Sequence, residues 1–150
     1  DMKLETFSLD VDADGIAVAT FDVPGRSMNT LTAKAIQDLA AIADEVGSNA
    51  QIKGLVITSG KTTGFCAGAD LGELGGGSGS GGPKGDPEAQ LKAAFERSFQ
   101  MNKILRNLET CKKPVACAIN GLALGGGFVV WRLLRRDRKT PPPIDDAQEW

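Results

Sequence analysis

Apolar and polar positions alternate loosely from Glu5 to Val11 and again from Ile16 to Phe21, with Asp12-Ala13-Asp14-Gly15 between them. Two period-two segments joined by a short acidic, glycine-ended turn predict a β-hairpin. Pro24-Gly25 ends it. From Thr32 to Gly47 the period changes: Ala35, Ile36, Leu39, Ile42, Ala43 and Val46 recur at helical spacing. Thr30 or Thr32 is the candidate cap at the start of this helix and Gly47 at its end. Lys53-Gly54-Leu55-Val56-Ile57-Thr58 is a short continuous apolar run, the pattern of a buried parallel strand.

A second long helix is predicted from Pro87 or Glu88, with Leu91, Ala94, Phe95, Phe99, Met101, Ile104, Leu105 and Leu108 along its buried side. Lys112-Lys113-Pro114 stops it, Val115 to Ile119 reads as another buried strand, and Phe128 to Leu134 reads as helical. Leu74 to Asp86 contains Gly75-Gly76-Gly77-Ser78-Gly79-Ser80-Gly81-Gly82. Such a stretch cannot offset its ordering entropy by burial and reads as a mobile surface loop. Strands alternating with helices in this order predict an α/β fold with right-handed crossovers.

Both apolar strands lead into glycine-rich turns. Gly64-Phe65-Cys66-Ala67-Gly68-Ala69-Asp70 follows the first, and Asn120-Gly121-Leu122-Ala123-Leu124-Gly125-Gly126-Gly127 follows the second. With little or no side chain at the turn, backbone N–H groups stay open to a ligand that must come very close. The second run also enters an apolar segment of helical pattern, and a helix N-terminus presents unpaired N–H groups and a partial positive charge. Two such loops facing each other would make an oxyanion hole, in which one donor is worth about 3–4 kcal/mol of barrier.

Composition narrows the chemistry. The 150 residues allow one domain with a real core, and a formal net charge of −2 gives no reason to expect nucleic acid or a membrane surface as a partner. No apolar run approaches the length of a bilayer-spanning helix, and Asp1-Met2-Lys3-Leu4-Glu5 lacks the layout of a signal peptide, so a cytoplasmic protein is expected. Cys66, Cys111 and Cys117 sit in apolar segments and read as buried free thiols in a reducing compartment. There is no histidine, which removes Ser-His-Asp and Cys-His catalysis and most zinc sites. General acid–base work falls to carboxylates or lysines.

Other motifs are weaker. Ser59-Gly60-Lys61-Thr62 hints at a P-loop, but the position of the required first glycine is Leu55, Gly54 is one residue out of place, and no helix pattern follows Thr62. Gly77, Gly79 and Gly82 fit a dinucleotide fingerprint only as letters, since they lie in low-complexity sequence with no strand before them. Arg132, Arg135, Arg136, Arg138 and Lys139, with Asp145, Asp146 and Glu149 behind them, read as a solvated helix end. Asp70 and Glu73 are either general bases or caps for the first turn of a helix, and the capping reading is favoured.

Ser27-Met28-Asn29-Thr30-Leu31, Gly60 to Asp70, and Pro114-Val115-Ala116-Cys117-Ala118-Ile119-Asn120-Gly121 leading into Gly125-Gly126-Gly127 stand in the order of a known superfamily. From about Glu5 to Phe128 the chain resembles the enoyl-CoA hydratase/isomerase, or crotonase, proteins. It is most similar to the hydratase module of multifunctional fatty-oxidation proteins that also carry a 3-hydroxyacyl-CoA dehydrogenase. The resemblance implies an α/β fold of crotonase-like β-β-α superhelix type. Residues 1–128 would be its N-terminal portion, and 129–150 a divergent helix end and tail. It also implies trimers and acyl-CoA substrates, with the CoA thioester needing no metal or redox cofactor.

By position, the amides of Ala69 and Gly126 would hold the thioester oxygen as it becomes an enolate. The Asn29 loop, the Gly64 to Leu71 segment with Ala67, Gly68, Asp70 and Leu71, and Gly125 would line the path of the CoA moiety. Water would add across the 2,3-double bond to give a 3-hydroxyacyl-CoA. The sequence departs from the family where a catalytic glutamate is expected two residues after the third glycine: that position is Val129. The second family glutamate belongs to a later segment than this chain contains, and Glu149 lacks its neighbours. The change of character after Phe128 suggests a shifted frame, a truncation or an engineered end, and predicts an impaired hydratase with exposed apolar surface. Two alternatives remain open: another crotonase reaction (isomerase, thioester hydrolase or decarboxylase), and a non-catalytic acyl-CoA-binding or oligomerising fragment.

Overall fold

The computed structural model describes residues 3–70 and 87–125. The glycine-rich stretch 75–82, Glu73, the segment read as helical after Phe128 and the divergent end 129–150 lie outside them. Strands β1 (Phe7–Val11) and β2 (Ile16–Phe21) form the expected hairpin, antiparallel with Phe7 opposite Phe21. Its turn is held by the Asp12 carboxylate, whose Oδ1 accepts from the amides of Asp14 at 2.9 Å and Ile16 at 2.8 Å. Gly15 completes the turn at φ +85°, and a methyl there would lie 2.6 Å from the Gln51 carbonyl oxygen. Glycine is required at that position.

Helix α1 (Ala33–Ser48) starts where Thr32 turns its hydroxyl oxygen onto the Ala35 amide at 3.1 Å. Of the two candidate caps, Thr32 serves. The far end differs from expectation: Gly47 lies inside the helix and Asn49 is the cap, its amide donating to the Glu45 carbonyl at 2.9 Å. Two further carbonyls at this end are met from a distance in sequence. Lys113 Nζ donates to Val46 O at 2.6 Å and Asn49 O at 2.7 Å. A cation at a helix C-terminus is also favoured by the helix dipole.

Strand β3 (Gly54–Ser59) runs parallel to β2, and β4 (Gly64–Cys66) follows a tight turn. Helix α2 (Pro87–Thr110) precedes β5 (Val115–Ala118) and the two-residue β6 (Leu122–Ala123). The main sheet has the order β1-β2-β3-β5, with β3 and β5 parallel, while β4 and β6 pair in a separate parallel ribbon. The buried face of α1, from Ala35 through Leu39, Ile42, Ala43 and Val46, joins Ala17, Ala19, Phe21, Leu55 and Ile57 of the sheet in one core. Phe7 and Phe21 stack at its edge with ring centroids 4.4 Å apart.

Two expectations need correction. Among the described side chains only the second half of α2 reaches the core, through Ile104, Leu105 and Leu108 with Met101 partly buried against it, while Leu91, Phe95 and Phe99 are 73%, 70% and 55% exposed. The helical period is as read, but among the described residues nothing covers the first half of the stripe, and Phe95 and Phe99 stack on each other instead. Ala94 carries no described side-chain environment. Strand β5 is likewise not fully buried. Among the described strands it lies at the sheet's edge, and it alternates half-buried with exposed positions. All three cysteines are free, with Cys66 buried and Cys111 and Cys117 half-buried. Burial pushes the Cys117 thiol up to about 11.

The N-terminal segment is tied to α1 by one buried carboxylate. Asp38 Oδ2 accepts from the Glu5 amide at 2.9 Å and from the Thr6 amide and hydroxyl, both at 2.8 Å, while Oδ1 faces Lys34 Nζ at 3.2 Å. Burial alone would raise the Asp38 pKa, but the hydrogen bonds from Thr6, Glu5 and Lys34 outweigh it and hold it below 3.8. A depressed carboxylate adds stability that is present above its unfolded pKa and is lost as pH falls through its folded pKa. Asp38→Asn should therefore cost about 1–3 kcal/mol at pH 7. It should also flatten the loss of stability below about pH 4, as denaturant titrations at neutral and acid pH would show.

Candidate functional site

The region that matters lies where the loop from Asp22 to Leu31 meets the segment from Ser59 to Asp70. Asn29 joins them. Its side chain is 0% exposed. Oδ1 accepts from the Val23 amide at 2.9 Å, and Nδ2 donates to Phe21 O at 2.7 Å, Ser59 Oγ at 3.0 Å and Phe65 O at 3.2 Å. One side chain thus gathers the end of β2, its own loop, the end of β3 and strand β4. An enclosed amide satisfied in this way has no atom left for a ligand, so the Asn29 side chain shapes the loop rather than touching what the loop holds.

Further ties run along the same seam. The Ser59 hydroxyl donates to Gly64 O at 2.8 Å and accepts from the Lys61 amide at 3.0 Å. Lys61 Nζ donates to Val23 O at 2.8 Å and pairs with Asp22 Oδ1 at 2.5 Å. Thr63 donates to Ser27 O at 2.7 Å. The Ser59-Gly60-Lys61-Thr62 run is therefore a structural clasp, its lysine turned to the neighbouring loop, and the P-loop reading falls. Asp70 is buried and pairs with Arg26, with Thr30 donating to it at 3.1 Å. The carboxylate is engaged by the preceding loop, and the helix turn that the sequence expects it to cap lies outside the described residues.

The two glycine runs lie side by side. Strand β6 pairs with β4, and the Leu124 amide donates to Cys66 O at 2.9 Å. A methyl on Gly121, at φ +153°, would stand 2.9 Å from Gly64 Cα, and one on Gly125, at φ +51°, would stand 3.6 Å from Gly68 Cα. The first contact leaves no room for a side chain at Gly121, and at Gly125 the positive φ is what favours glycine. On the opposite side, the Ala67 amide donates to Asn29 O at 2.8 Å, the Leu31 amide to Gly68 O at 2.8 Å and the Asp70 amide to Leu31 O at 3.3 Å.

Ala69 sits between those last two bonds as the parallel bridge partner of Leu31. In such a ladder the bridged residue directs its own N–H away from its partner, here toward the side occupied by the second glycine run. Among the described residues that amide has no hydrogen-bond acceptor.

Of the site residues read from the sequence, Ala67, Gly68, Ala69 and Asp70 lie on this seam, Gly125 stands against Gly68, and Asn29 lies beneath. Leu71 and Gly126 lie outside the described residues. Gly68, at φ +92°, donates its amide to Cys66 Sγ at 3.4 Å. Burial raises the Cys66 pKa, with the Gly68 amide opposing it, so the thiol packs rather than reacts. Among the described residues no cluster of acidic and thiol groups could hold a metal ion, and no helix is long and apolar enough to cross a membrane. The sequence singles out neither Arg26 nor Thr63, and it marks Ser59 and Lys61 only through the P-loop likeness, not for the clasp they form.

Asn29→Ala would remove the partner of the Val23 amide and the side-chain donor to Phe65 O, leaving Phe21 O with the Gly60 amide alone, and should cost upward of about 2 kcal/mol in chemical denaturation. Asn29→Asp keeps the acceptor but aims carboxylate oxygen at the carbonyls of Phe21 and Phe65, so it should be at least as damaging.

A family model described as enoyl-CoA hydratase/isomerase matches residues 12–133. A fatty acid oxidation complex subunit alpha from Shewanella amazonensis is 41% identical over 124 residues, covering 83% of this chain and 16% of that protein. The namesake from Shewanella sp. strain W3-18-1 is 40% identical over 149 residues, covering 96% of this chain and 20% of that protein. The chain thus spans about a fifth or less of these relatives. An enoyl-CoA hydratase from Bacillus anthracis superposes with a TM-score of 0.68 at 26% identity, over 85% of this chain and 45% of that one. The enoyl-CoA hydratase from Bacillus halodurans, with a TM-score of 0.71 at 21% identity over 87% of this chain and 48% of that one, speaks for the fold alone. With the glycine runs paired as described and the match extending over most of the chain, the protein belongs to the enoyl-CoA hydratase/isomerase family, and its mixed α/β architecture is part of a crotonase-like domain.

Proposed function

We propose that this chain binds the acyl-CoA thioesters of fatty-acid oxidation and polarises the thioester carbonyl between the amides of Ala69 and Gly126. The observation that carries the reading is the pairing of the two glycine runs, Gly125 against Gly68, with the Ala69 amide directed to that side. Negative charge that appears on the thioester oxygen during reaction is what fixed backbone donors stabilise most, and they need no reorganisation at that moment. Ala67, Gly68, Asp70 and Leu71 on one run and Gly125 on the other flank the path of the CoA moiety, with Asn29 holding the loop behind them. The substrate is a trans-2-enoyl-CoA and the product of hydration a 3-hydroxyacyl-CoA. No cofactor enters, and the working form is a cytoplasmic trimer.

Val129 stands where the family places a catalytic glutamate. Loss of one general acid–base group removes about 10²–10⁴-fold in rate, and this supports the second reading, an acyl-CoA-binding protein with little turnover. Crotonyl-CoA hydration, followed through the loss of the conjugated thioester absorbance, and butyryl-CoA binding by calorimetry test both readings together. Saturable butyryl-CoA binding is expected, with hydration at least about 10²-fold slower than in a family member that has the glutamate. Failure to bind either thioester would overturn the proposal.

A further inference from the structure

The backbone ladder beside Ala69 is tight at its first two bonds, 2.8 Å each, and slackens to 3.3 Å at the last, from the Asp70 amide to Leu31 O. Side chains close the ladder at that slack end. The Arg26 guanidinium pairs with the Asp70 carboxylate and donates to Thr30 Oγ1 at 2.9 Å, while Thr30 Oγ1 donates to Asp70 Oδ2 at 3.1 Å. Asp70 follows Ala69 directly, and Thr30 directly precedes Leu31, the bridge partner of Ala69. The cluster therefore grips both strands of the ladder one residue from the amide that matters.

Its other ties lie elsewhere. Asn29, Ser59, Lys61 and Thr63 fasten the loop nearer to β3 and β4, and none of them reaches past Ala67. Arg26 is 46% exposed on its side chain whereas Asp70 is 9% exposed. A pair with one partner half in water adds little to global stability, so its effect belongs to local geometry.

We infer that Arg26 is a positioning residue: through Asp70 and Thr30 it holds the chain on the C-terminal side of Ala69, as the Leu31 amide holds Gly68 O on the other side, and so it steadies the aim of the Ala69 amide. The inference rests on the reading of that amide as a thioester donor. Donor geometry matters steeply, because a hydrogen bond weakens quickly as its angle closes and an oxyanion site works only when its donors are already in place.

The test uses the full chain and butyryl-CoA labelled with carbon-13 at the thioester carbonyl, since the bound carbonyl resonance reports polarisation directly. Wild-type protein should move it downfield. Arg26→Ala should bind butyryl-CoA yet lose most of that displacement, with its unfolding midpoint close to that of wild type. Arg26→Lys, which keeps a point charge without the planar fork, should recover part of it. An unchanged carbonyl resonance in bound Arg26→Ala overturns the inference while leaving the thioester reading intact. So does a fall in unfolding midpoint that accounts for lost binding, because the pair would then be scaffold. Absence of binding or of any displacement in wild type overturns the thioester reading and the role of Arg26 with it.

Discussion

Backbone approaches backbone in this structure without the usual spacing of side chains. Gly121 packs so closely on Gly64 that a methyl would lie 2.9 Å from its Cα, while Gly125 stands beside Gly68, where a methyl would make ordinary contact at 3.6 Å. Any residue with a Cβ at Gly121 would push β6 off β4 and separate the two loops. Two features of the site follow from that contact, the pairing of β4 with β6 and the Leu124 amide on Cys66, while the Leu31 bridge sets the side to which the Ala69 amide points. In the crotonase-like setting this contact would turn two ordinary strand ends into a place for a carbonyl oxygen.

Close backbone contact needs a rigid support, and buried polar groups supply it. Asn29 holds four partners from three elements, Asp38 ties the N-terminal segment to α1, and Lys113 caps α1 from the end of α2. Each is a satisfied network in a low-dielectric setting, where partial satisfaction would be costly. These ties resist distortion more than they add net stability. Stiffness suits a site whose chemistry would depend on donors fixed in advance.

Much of this was legible in the residues. The hairpin follows from Asp12 and Gly15 between alternating strands, α1 from its apolar spacing and Thr32, and the close contact from glycines placed just after apolar strands. What stayed hidden depends on partners distant in sequence. Arg26 and Asp70 are separated by 44 positions and Lys113 lies 67 from Val46, so no local pattern marks them. Asn29 reads as a loop residue because burial of an amide cannot be told from spacing. The apolar stripe of α2 shows the limit of periodicity: it fixes which side chains share a face, but not what covers Leu91, Phe95 and Phe99.

Two backbone amides, one from each glycine run, acting on a single oxygen are the centre of the account. Nitrogen-15 chemical shifts of Ala69 and Gly126, followed while an unreactive acyl-CoA is added, test it most directly. Both amides should move together and saturate at one ligand concentration, with their protons shifting downfield as they take up a hydrogen bond. Movement of one amide without the other, or saturation at different concentrations, would contradict a shared acceptor.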